Sequence, residues 1–165
     1  MNKILFLDID GVLVSFDNMH AAHAVLHEND SNDYNIIRDK YGQLYDERCV
    51  RWLEYIIKKT NAKIVISSAW KMSGLKSMQS LWYDRNLPGK VIDITPDVMN
   101  GDRGKEIQMW LDKNEVDTYC IIDDDSDILV DQKPYFVQTV STFGLTGETA
   151  NNAISILNAM KMRAD

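Results

Sequence analysis

The chain has 165 residues, a length that fits one domain of ordinary size. Hydrophobic residues make up 45% of it and charged residues 26%, so the chain can build a core and is not expected to be disordered. Its net charge of −7 excludes a protein that binds nucleic acid through bulk positive charge, although it leaves room for a local basic patch.

The cysteines and the N-terminal residues give no sign of an extracellular or membrane protein. Cys49 and Cys120 lie far apart and form no C-x-x-C pair, so we expect reduced thiols in a cytoplasmic protein. The N-terminal apolar run is interrupted by Asp8 and Asp10, which is unlike a signal peptide, and no run approaches the ~20 apolar residues of a membrane span. We expect no membrane association, and no obligatory protein partner is evident.

Short apolar runs alternate along the chain with segments of helical periodicity, which predicts an α/β fold. Apolar runs rich in β-branched and aliphatic residues predict five buried parallel strands, at Ile4–Leu7, Lys63–Ile66, Val91–Ile94, Thr118–Ile122 and Tyr135–Gln138. Helices are predicted at Met19–His27, Asp46–Thr60, Ser73–Trp82, Gly104–Asn114 and Thr149–Met160. The chain, residues 1–165, is therefore predicted to be one domain with a mainly parallel sheet flanked by helices.

The segment from about residue 15 to residue 45 is the least regular part of the chain. It follows the first predicted strand, contains the polar stretch Asn29–Asn35, which is predicted to be a loop, and is expected to form a small cover over the site. His20, His23 and His27 share a helical face, which raises the possibility of a zinc site. No Cys or acid completes a ligand set of known spacing, so surface histidines are the favoured interpretation.

Two carboxylates follow the first predicted strand, in Asp8-Ile9-Asp10-Gly11. In a sheet of this type ligands bind beyond the C-terminal ends of the strands, and buried carboxylates are costly unless they are paired or bind metal. If the chain turns at Gly11, one carboxylate can act as a nucleophile while its neighbour transfers protons. An ordinary D-x-D-G turn is the alternative. A calcium loop is excluded, because the twelfth position from Asp8 is Met19 rather than Glu.

Hydroxyl and basic side chains occupy two further ends of predicted elements. The second strand ends in Ser67-Ser68, where a hydroxyl and backbone N–H groups can bind phosphate oxygens, with a turn or helix cap as the alternative. Arg103 and Lys105 lie where the helix before the fourth strand begins. A cation there can hold a phosphoryl group and neutralise a carboxylate, with a solvated first turn as the alternative.

Acidic residues are concentrated after the fourth strand, in Asp123-Asp124-Asp125-Ser126-Asp127. Such crowding of like charge is unfavourable without a cation. Hard oxygen ligands suit Mg²⁺, which needs only one or two protein carboxylates beside a substrate phosphate. A solvated acidic turn is the alternative for this cluster alone. The coincidence of all four clusters at strand ends and helix starts of one sheet favours a phosphoryl-transfer site.

The four clusters resemble the motifs of the haloacid dehalogenase-like (HAD) superfamily. Its D-x-D-G-[TV] motif, its strand-ending hydroxyl, its basic residue and its acidic motif are matched by Asp8-Ile9-Asp10-Gly11-Val12, Ser67, Arg103 or Lys105, and Asp123-Asp124. The resemblance spans Asp8 to Asp127. It implies a Rossmann-like fold with a small or absent cap.

A narrower resemblance is to the small phosphatase-like domains of multi-activity RNA-repair proteins, whose pattern is roughly S-S-x-W-R and R-G-x-E-I-x-x-W-L. The corresponding strings in this chain are Ile66-Ser67-Ser68-Ala69-Trp70-Lys71 and Arg103-Gly104-Lys105-Glu106-Ile107 with Trp110-Leu111. The resemblance also includes Phe136-Val137-Gln138-Thr139 and Gly144-Leu145-Thr146. Lys71 stands where that pattern has Arg. The match favours Arg103 over Lys105 as the phosphoryl-binding cation.

The superfamily resemblance implies a Mg²⁺-dependent phosphatase. In the implied mechanism Asp8 attacks phosphorus, and Asp10 protonates the leaving oxygen and then activates water. Ser67 and Arg103 would hold the phosphoryl oxygens. The implied Mg²⁺ ligands are the Asp8 side chain, the Asp10 backbone carbonyl and Asp124, with Asp123 as a ligand or in the outer shell.

The acid at Asp10 favours a phosphatase over a dehalogenase, which lacks an acid at this place because halide leaves unprotonated. The cation pumps of the superfamily carry Lys-Thr where this chain has Ile9-Asp10. A phosphotransferase is the nearest alternative. A catalytically idle module that binds phosphorylated ligands and a scaffold for protein interactions are the non-enzymatic alternatives, and the presence of every motif acid favours an enzyme.

The substrate is expected to be phosphorylated: a small phosphate ester, a nucleotide or a nucleic-acid end. A small cover would leave the site open, which suits a phosphate at the end of a large molecule. Gly11 and Ser68 are expected to contact the substrate. Trp70 could stack on a base and Lys71 could contact a backbone phosphate, with core packing as the alternative for Trp70.

Overall fold

The structure is a computed structural model that describes residues 1–28 and 37–159. In chain order its helices and strands are β1 (Lys3–Leu7), α1 (Phe16–Glu28), β2 (Arg38–Asp39), β3 (Gly42–Gln43), α2 (Glu47–Thr60), β4 (Lys63–Ile66), α3 (Leu75–Asp84), β5 (Val91–Ile94), α4 (Arg103–Leu111), β6 (Thr118–Asp123), β7 (Phe136–Gln138) and α5 (Gly147–Asn158). Short 3₁₀ helices cover Ala69–Ser73 and Val130–Tyr135. Among the described residues, every helix is too short or too polar to cross a bilayer.

The main sheet has five strands in the order β5-β4-β1-β6-β7, and all its neighbours are parallel. The prediction of a five-stranded, Rossmann-like α/β fold is therefore confirmed. β1 is the central strand, and its last residue, Leu7, pairs with Ile66 of β4 and with Ile122 of β6. The residues that follow these three strands consequently lie side by side at one edge of the sheet.

Alternating residues of β1 face opposite sides of the sheet, as the period of a strand requires. Leu5 and Leu7 belong to a core shared with α2, α3 and α5, whereas Ile4 and Phe6 belong to a second core beneath α4. All four side chains are 0% exposed. Helices thus cover both faces of the sheet, which explains why the strands read as unbroken apolar runs.

The helices begin and end close to the predicted positions, with differences that have local causes. α2 begins after Asp46, whose carboxylate accepts a hydrogen bond from the Arg48 N–H and caps the helix. α3 begins at Leu75 rather than Ser73, because a 3₁₀ helix ends at Ser73 and Gly74 has a φ of +88°. α5 begins at Gly147 rather than at residue 149, after a capping threonine.

The segment around residues 15–45 contains α1 and an antiparallel hairpin, β2–β3, in which Arg38 pairs with Gln43 and Asp39 with Gly42. The predicted loop at Asn29–Asn35 lies outside the described residues, and the cover over the site stays a prediction. The hairpin is fixed to the C-terminal end of α3. Arg85 donates hydrogen bonds of 2.9 and 2.7 Å to the two carboxylate oxygens of Asp39.

Candidate active site

Side chains from three neighbouring strands meet at the C-terminal edge of the main sheet. Asp8 directly follows β1, Ser67 directly follows β4, and Asp123 is the last residue of β6. Their exposed fractions are 6%, 1% and 2%, so these three side chains are buried beneath the surface of this edge. This edge, next to the central strand, is where parallel α/β sheets bind ligands.

Arg103, the first residue of α4, connects these three side chains. Its Nε lies 3.1 Å from an Asp123 carboxylate oxygen and its Nη2 lies 3.7 Å from an Asp8 carboxylate oxygen. Its Nη1 donates a 3.4 Å hydrogen bond to the Ser67 hydroxyl. The next residue, Gly104, allows α4 to approach this closely, since a Cβ there would lie 2.6 Å from the backbone nitrogen of Leu129.

The two candidate cations of this helix are separated by the structure. Lys105 is exposed and forms a 2.6 Å ion pair with Asp102, the residue that caps α4. Only Arg103 of the two therefore lies beside Asp8 and Asp123.

The carboxylates of Asp8, Asp123 and Asp124 lie within 4.8 Å of one another, which suits a shared cation. Across the described ranges 1–28 and 37–159, no other group of three potential metal ligands is this close, and His20, His23 and His27 are exposed on α1.

Gly11 leaves space for this group of acids. Its φ is +72°, and a Cβ there would collide with the Asp124 carboxylate. The positive φ and the close approach both favour glycine at the turn that follows the nucleophile motif.

The acids of the site carry more negative charge than Arg103 neutralises. Burial raises the pKa of Asp8, against the opposing effects of Arg103 and of a hydrogen bond from Ser68. Burial also raises the pKa of Asp123, and the neighbouring charge of Asp8 raises it further. Two carboxylates that resist ionising together are stabilised by an added cation or a retained proton, and their hard oxygen donors fit Mg²⁺.

Asp10 lies outside this group of carboxylates, and the ligand atom predicted for it is its backbone carbonyl. Its side chain is exposed and accepts a 3.0 Å hydrogen bond from the indole Nε1 of Trp70. Ser68 is fully buried, and its hydroxyl also accepts a 3.4 Å hydrogen bond from the Trp70 backbone N–H. Ser68 therefore contacts Asp8 and the start of the 3₁₀ helix at Ala69–Ser73, and the substrate contact expected for it stays a prediction.

Lys71 is not placed for the phosphate contact predicted for it. Its side chain is 6% exposed, and its Nζ lies 2.6 Å from Glu106 and 3.0 Å from Asp97. It also donates a 3.2 Å hydrogen bond to the Thr95 hydroxyl. These partners satisfy the ammonium group inside the protein, so contact with a substrate would require them to be broken.

Two residues at the end of the last strand, β7, support the site and were not predicted to be part of it. Thr139 donates a 2.8 Å hydrogen bond to the Gly11 carbonyl, and Gln138 donates one of 2.9 Å to the Asp124 carbonyl. They tie the end of β7 to both acid-bearing loops. Their position at a strand end is the same signal that identified the other site residues.

Comparison with known proteins gives one match. The family model for the HAD domain in Swiss Army Knife RNA repair proteins matches residues 4–150, a range that contains every site residue described above. No curated protein and no solved structure matches the chain.

Proposed function

Since the chain belongs to the family of HAD domains in Swiss Army Knife RNA repair proteins, we propose that it is a Mg²⁺-dependent phosphomonoesterase with Asp8 as its nucleophile. The family points to a phosphatase-type hydrolase in an RNA-repair setting. The observation that carries the proposal is the meeting of Asp8, Asp123 and Arg103 at the ligand-binding edge of the sheet.

In the first proposed step an Asp8 carboxylate oxygen attacks phosphorus and forms an aspartyl-phosphate. The bond from phosphorus to the leaving oxygen breaks, and the leaving oxygen keeps the electron pair of that bond. Asp10 donates a proton to this oxygen. Arg103 and the hydroxyl of Ser67 lie beside the nucleophile and would hold the phosphoryl oxygens.

In the second step Asp10 accepts a proton from water as the water oxygen attacks phosphorus. The bond between phosphorus and Asp8 breaks, which restores the carboxylate and releases inorganic phosphate. Together the two steps convert one phosphate monoester and one water molecule into an alcohol and phosphate. Asp10 ends protonated again, with a proton from water in place of the one that left with the alcohol.

Mg²⁺ would be held by the side chains of Asp8 and Asp124 and by the backbone carbonyl of Asp10, with Asp123 as a ligand or in the outer shell. The closeness of the three carboxylates and the raised pKa values of Asp8 and Asp123 support this ligand set. The ion supplies positive charge that neutralises the carboxylates and the phosphoryl group.

The proposed substrate is a phosphorylated end of RNA or another nucleic acid, or a nucleotide. The described part of the insert consists of one helix and a hairpin of two-residue strands, which supports a small cover and an open site. A phosphotransferase or a catalytically idle phospho-ligand module of the same fold is the alternative, and the complete set of acids favours hydrolysis.

The test is phosphate release by the purified protein from a 3′-phosphorylated oligoribonucleotide, a 5′-phosphorylated one, nucleoside monophosphates and an aryl phosphate. Each reaction is run with Mg²⁺ and with chelator, beside an Asp8→Asn variant. We expect release that requires Mg²⁺ and disappears in the variant. Release that persists in Asp8→Asn would remove Asp8 as the nucleophile, and no release from any substrate would contradict the phosphatase assignment.

A further inference from the structure

Trp70 links the insert to the proposed acid/base. Its indole N–H donates the 3.0 Å hydrogen bond to the carboxylate of Asp10, while most of its ring packs against the larger core. Asp10 itself is exposed, in the loop after β1. A partly buried aromatic residue is thus hydrogen-bonded to an exposed carboxylate at the edge of the site.

The indole is contacted by residues of the insert and by Arg85, which follows α3 and binds the insert. The ring of Tyr45 meets it edge to face at a centroid distance of 5.4 Å, and the Arg85 guanidinium carbon lies 5.8 Å from its centre. The hairpin backbone at Gly42 is so close that a Cβ there would lie 3.5 Å from the indole. Arg85 is fixed in turn by both carboxylate oxygens of Asp39.

An exposed aspartate in a loop samples several side-chain rotamers, and only some of them suit proton transfer. A proton donor must lie within hydrogen-bond reach of the atom it serves, and a misplacement of about 1 Å can cost roughly 100-fold in rate. A hydrogen bond from the N–H of a packed indole restricts the Asp10 carboxylate to a narrower range of side-chain rotamers.

We propose that Trp70 is a positioning residue for Asp10 and that the hairpin β2–β3 acts on proton transfer through it. This inference rests on the proposed phosphatase function. It gives the insert a second task beside covering the site. It also differs from base stacking by Trp70, because the group that matters is the indole N–H and not the ring face.

The inference can be tested through the leaving group of the substrate. When the bond from phosphorus to the leaving oxygen breaks, an alkoxide of ribose needs the proton of Asp10, whereas a nitrophenolate leaves without one. The value of kcat/KM covers the reaction up to this first phosphoryl transfer. Misplacing Asp10 should therefore lower kcat/KM for a nucleoside monophosphate far more than for nitrophenyl phosphate.

The variant is Trp70→Phe, which keeps an aromatic ring and removes the N–H. Its matched control is Trp82→Phe, because Trp82 packs in the same core and donates its N–H to the Pro88 carbonyl at 3.0 Å, away from the acids. We expect Trp70→Phe to lower kcat/KM for the nucleoside monophosphate roughly 10- to 100-fold. We expect a much smaller loss on nitrophenyl phosphate, an unchanged KM, and neither loss in the control.

Equal losses on both substrates would assign Trp70 a packing role and overturn the inference. A loss confined to the KM of oligonucleotides would do the same in favour of base stacking. If Trp70→Phe unfolds, benzothienylalanine at position 70 keeps the shape of the indole with sulfur in place of the N–H, and the same substrate pattern is expected. A wild type inactive on every substrate, phosphorylated oligonucleotides included, would overturn the proposed function and this inference with it. If only oligonucleotides are cleaved, one with a phosphorylated ribose end replaces the nucleoside monophosphate and one with a nitrophenyl phosphate end replaces nitrophenyl phosphate. An active wild type with Trp70→Phe equal to Trp82→Phe overturns the inference alone.

Discussion

Two clusters of buried charged side chains each include a residue of α4, and these two residues lie one turn apart. The first cluster carries excess negative charge, whereas the charges of the second are paired. Arg103 faces the carboxylates of Asp8 and Asp123, which leaves an excess of negative charge and raises the pKa of both acids. Glu106 faces Lys71, whose ammonium group is hydrogen-bonded or ion-paired on several sides.

The difference separates a cluster with excess negative charge, for which we propose a bound cation, from a cluster whose charges are already paired. The first cluster lies at the ligand-binding edge and is expected to cost stability until positive charge is added. The second lies inside the protein and fixes α4 relative to the 3₁₀ helix at Ala69–Ser73. Substitutions in the two clusters should therefore change activity and stability in opposite patterns.

The largest effect is expected from the nucleophile. Asp8→Asn should lower phosphatase activity by on the order of 10⁴-fold or more, since no side chain then forms the aspartyl-phosphate. Phosphate release measures this, with Asp125→Asn as a control because Asp125 is an exposed acid of the neighbouring loop. Comparable losses in both variants would mean that activity depends on the negative charge around the site and not on Asp8 as a nucleophile.

The next effect should appear in stability when the completed cluster is broken. Lys71→Met leaves Glu106 buried without its partner, and the free energy of unfolding should fall by about 3–5 kcal/mol. Urea denaturation measures it, with Lys76→Met on the exposed face of α3 as the control. The double variant Lys71→Met, Glu106→Leu should regain much of the loss, and a single-variant loss below about 1 kcal/mol would contradict the pairing.

A gain in stability is expected from a substitution in the cluster of Asp8, Asp123 and Arg103. Asp123→Asn should raise the free energy of unfolding of the metal-free protein at pH 7.5 by about 2 kcal/mol, because it removes one of two carboxylates that resist ionising together. Burial raises the pKa of Asp123 to about 7 in the folded protein, and such a shift lowers stability as the pH rises from the unfolded value of the pKa to the folded one. The wild type should therefore gain stability as the pH falls from 7.5 to 5. The variant should gain less, and parallel pH profiles would show that these carboxylates are not strained.

A smaller effect is expected from the cation itself. Mg²⁺ at ten times its dissociation constant should stabilise the folded protein by about 1.4 kcal/mol, since it binds the folded state alone. Thermal unfolding with and without Mg²⁺ measures this, and Asp124→Ala should lose the shift while Asp125→Ala keeps it. An unchanged shift in Asp124→Ala would move the ligand role to Asp123 or Asp127.

The smallest effect is expected from Lys105→Ala, which should leave activity within about twofold of wild type because Lys105 is exposed and paired with Asp102. Arg103→Ala should lose far more, on the order of 10²–10³-fold, as expected for a group that stabilises the phosphoryl transition state. Phosphate release at saturating Mg²⁺ compares the two, and the reverse ranking would identify Lys105 as the phosphoryl cation.

The main sheet was predictable because its strands are buried on both faces and therefore appear as short apolar runs. The same runs located the candidate site, since Asp8, Ser67 and Asp123 stand where such runs stop. That rule depends only on parallel strands ending at a common edge. It applies equally to Thr139, which belongs to the family resemblance but was given no site role because a single hydroxyl carries little signal.

The role of Lys71 could not be predicted, because its partners come from the loop after β5 and from α4 and are brought together only by the fold. In the sequence alone, a lysine beside a tryptophan indicates a surface that binds a phosphate and stacks on a base. The hydrogen bond between Trp70 and Asp10 is hidden for the same reason. It joins residues 60 positions apart, and no periodicity records such a contact.

The buried pair of Lys71 and Glu106 also constrains how the chain can change over evolutionary time. Its members lie 35 positions apart, yet replacing Lys71 alone strands the Glu106 charge in the interior. A lineage that loses the lysine must neutralise position 106 in nearly the same step, or keep both. The two segments are thus expected to covary among relatives and to be inherited as one unit.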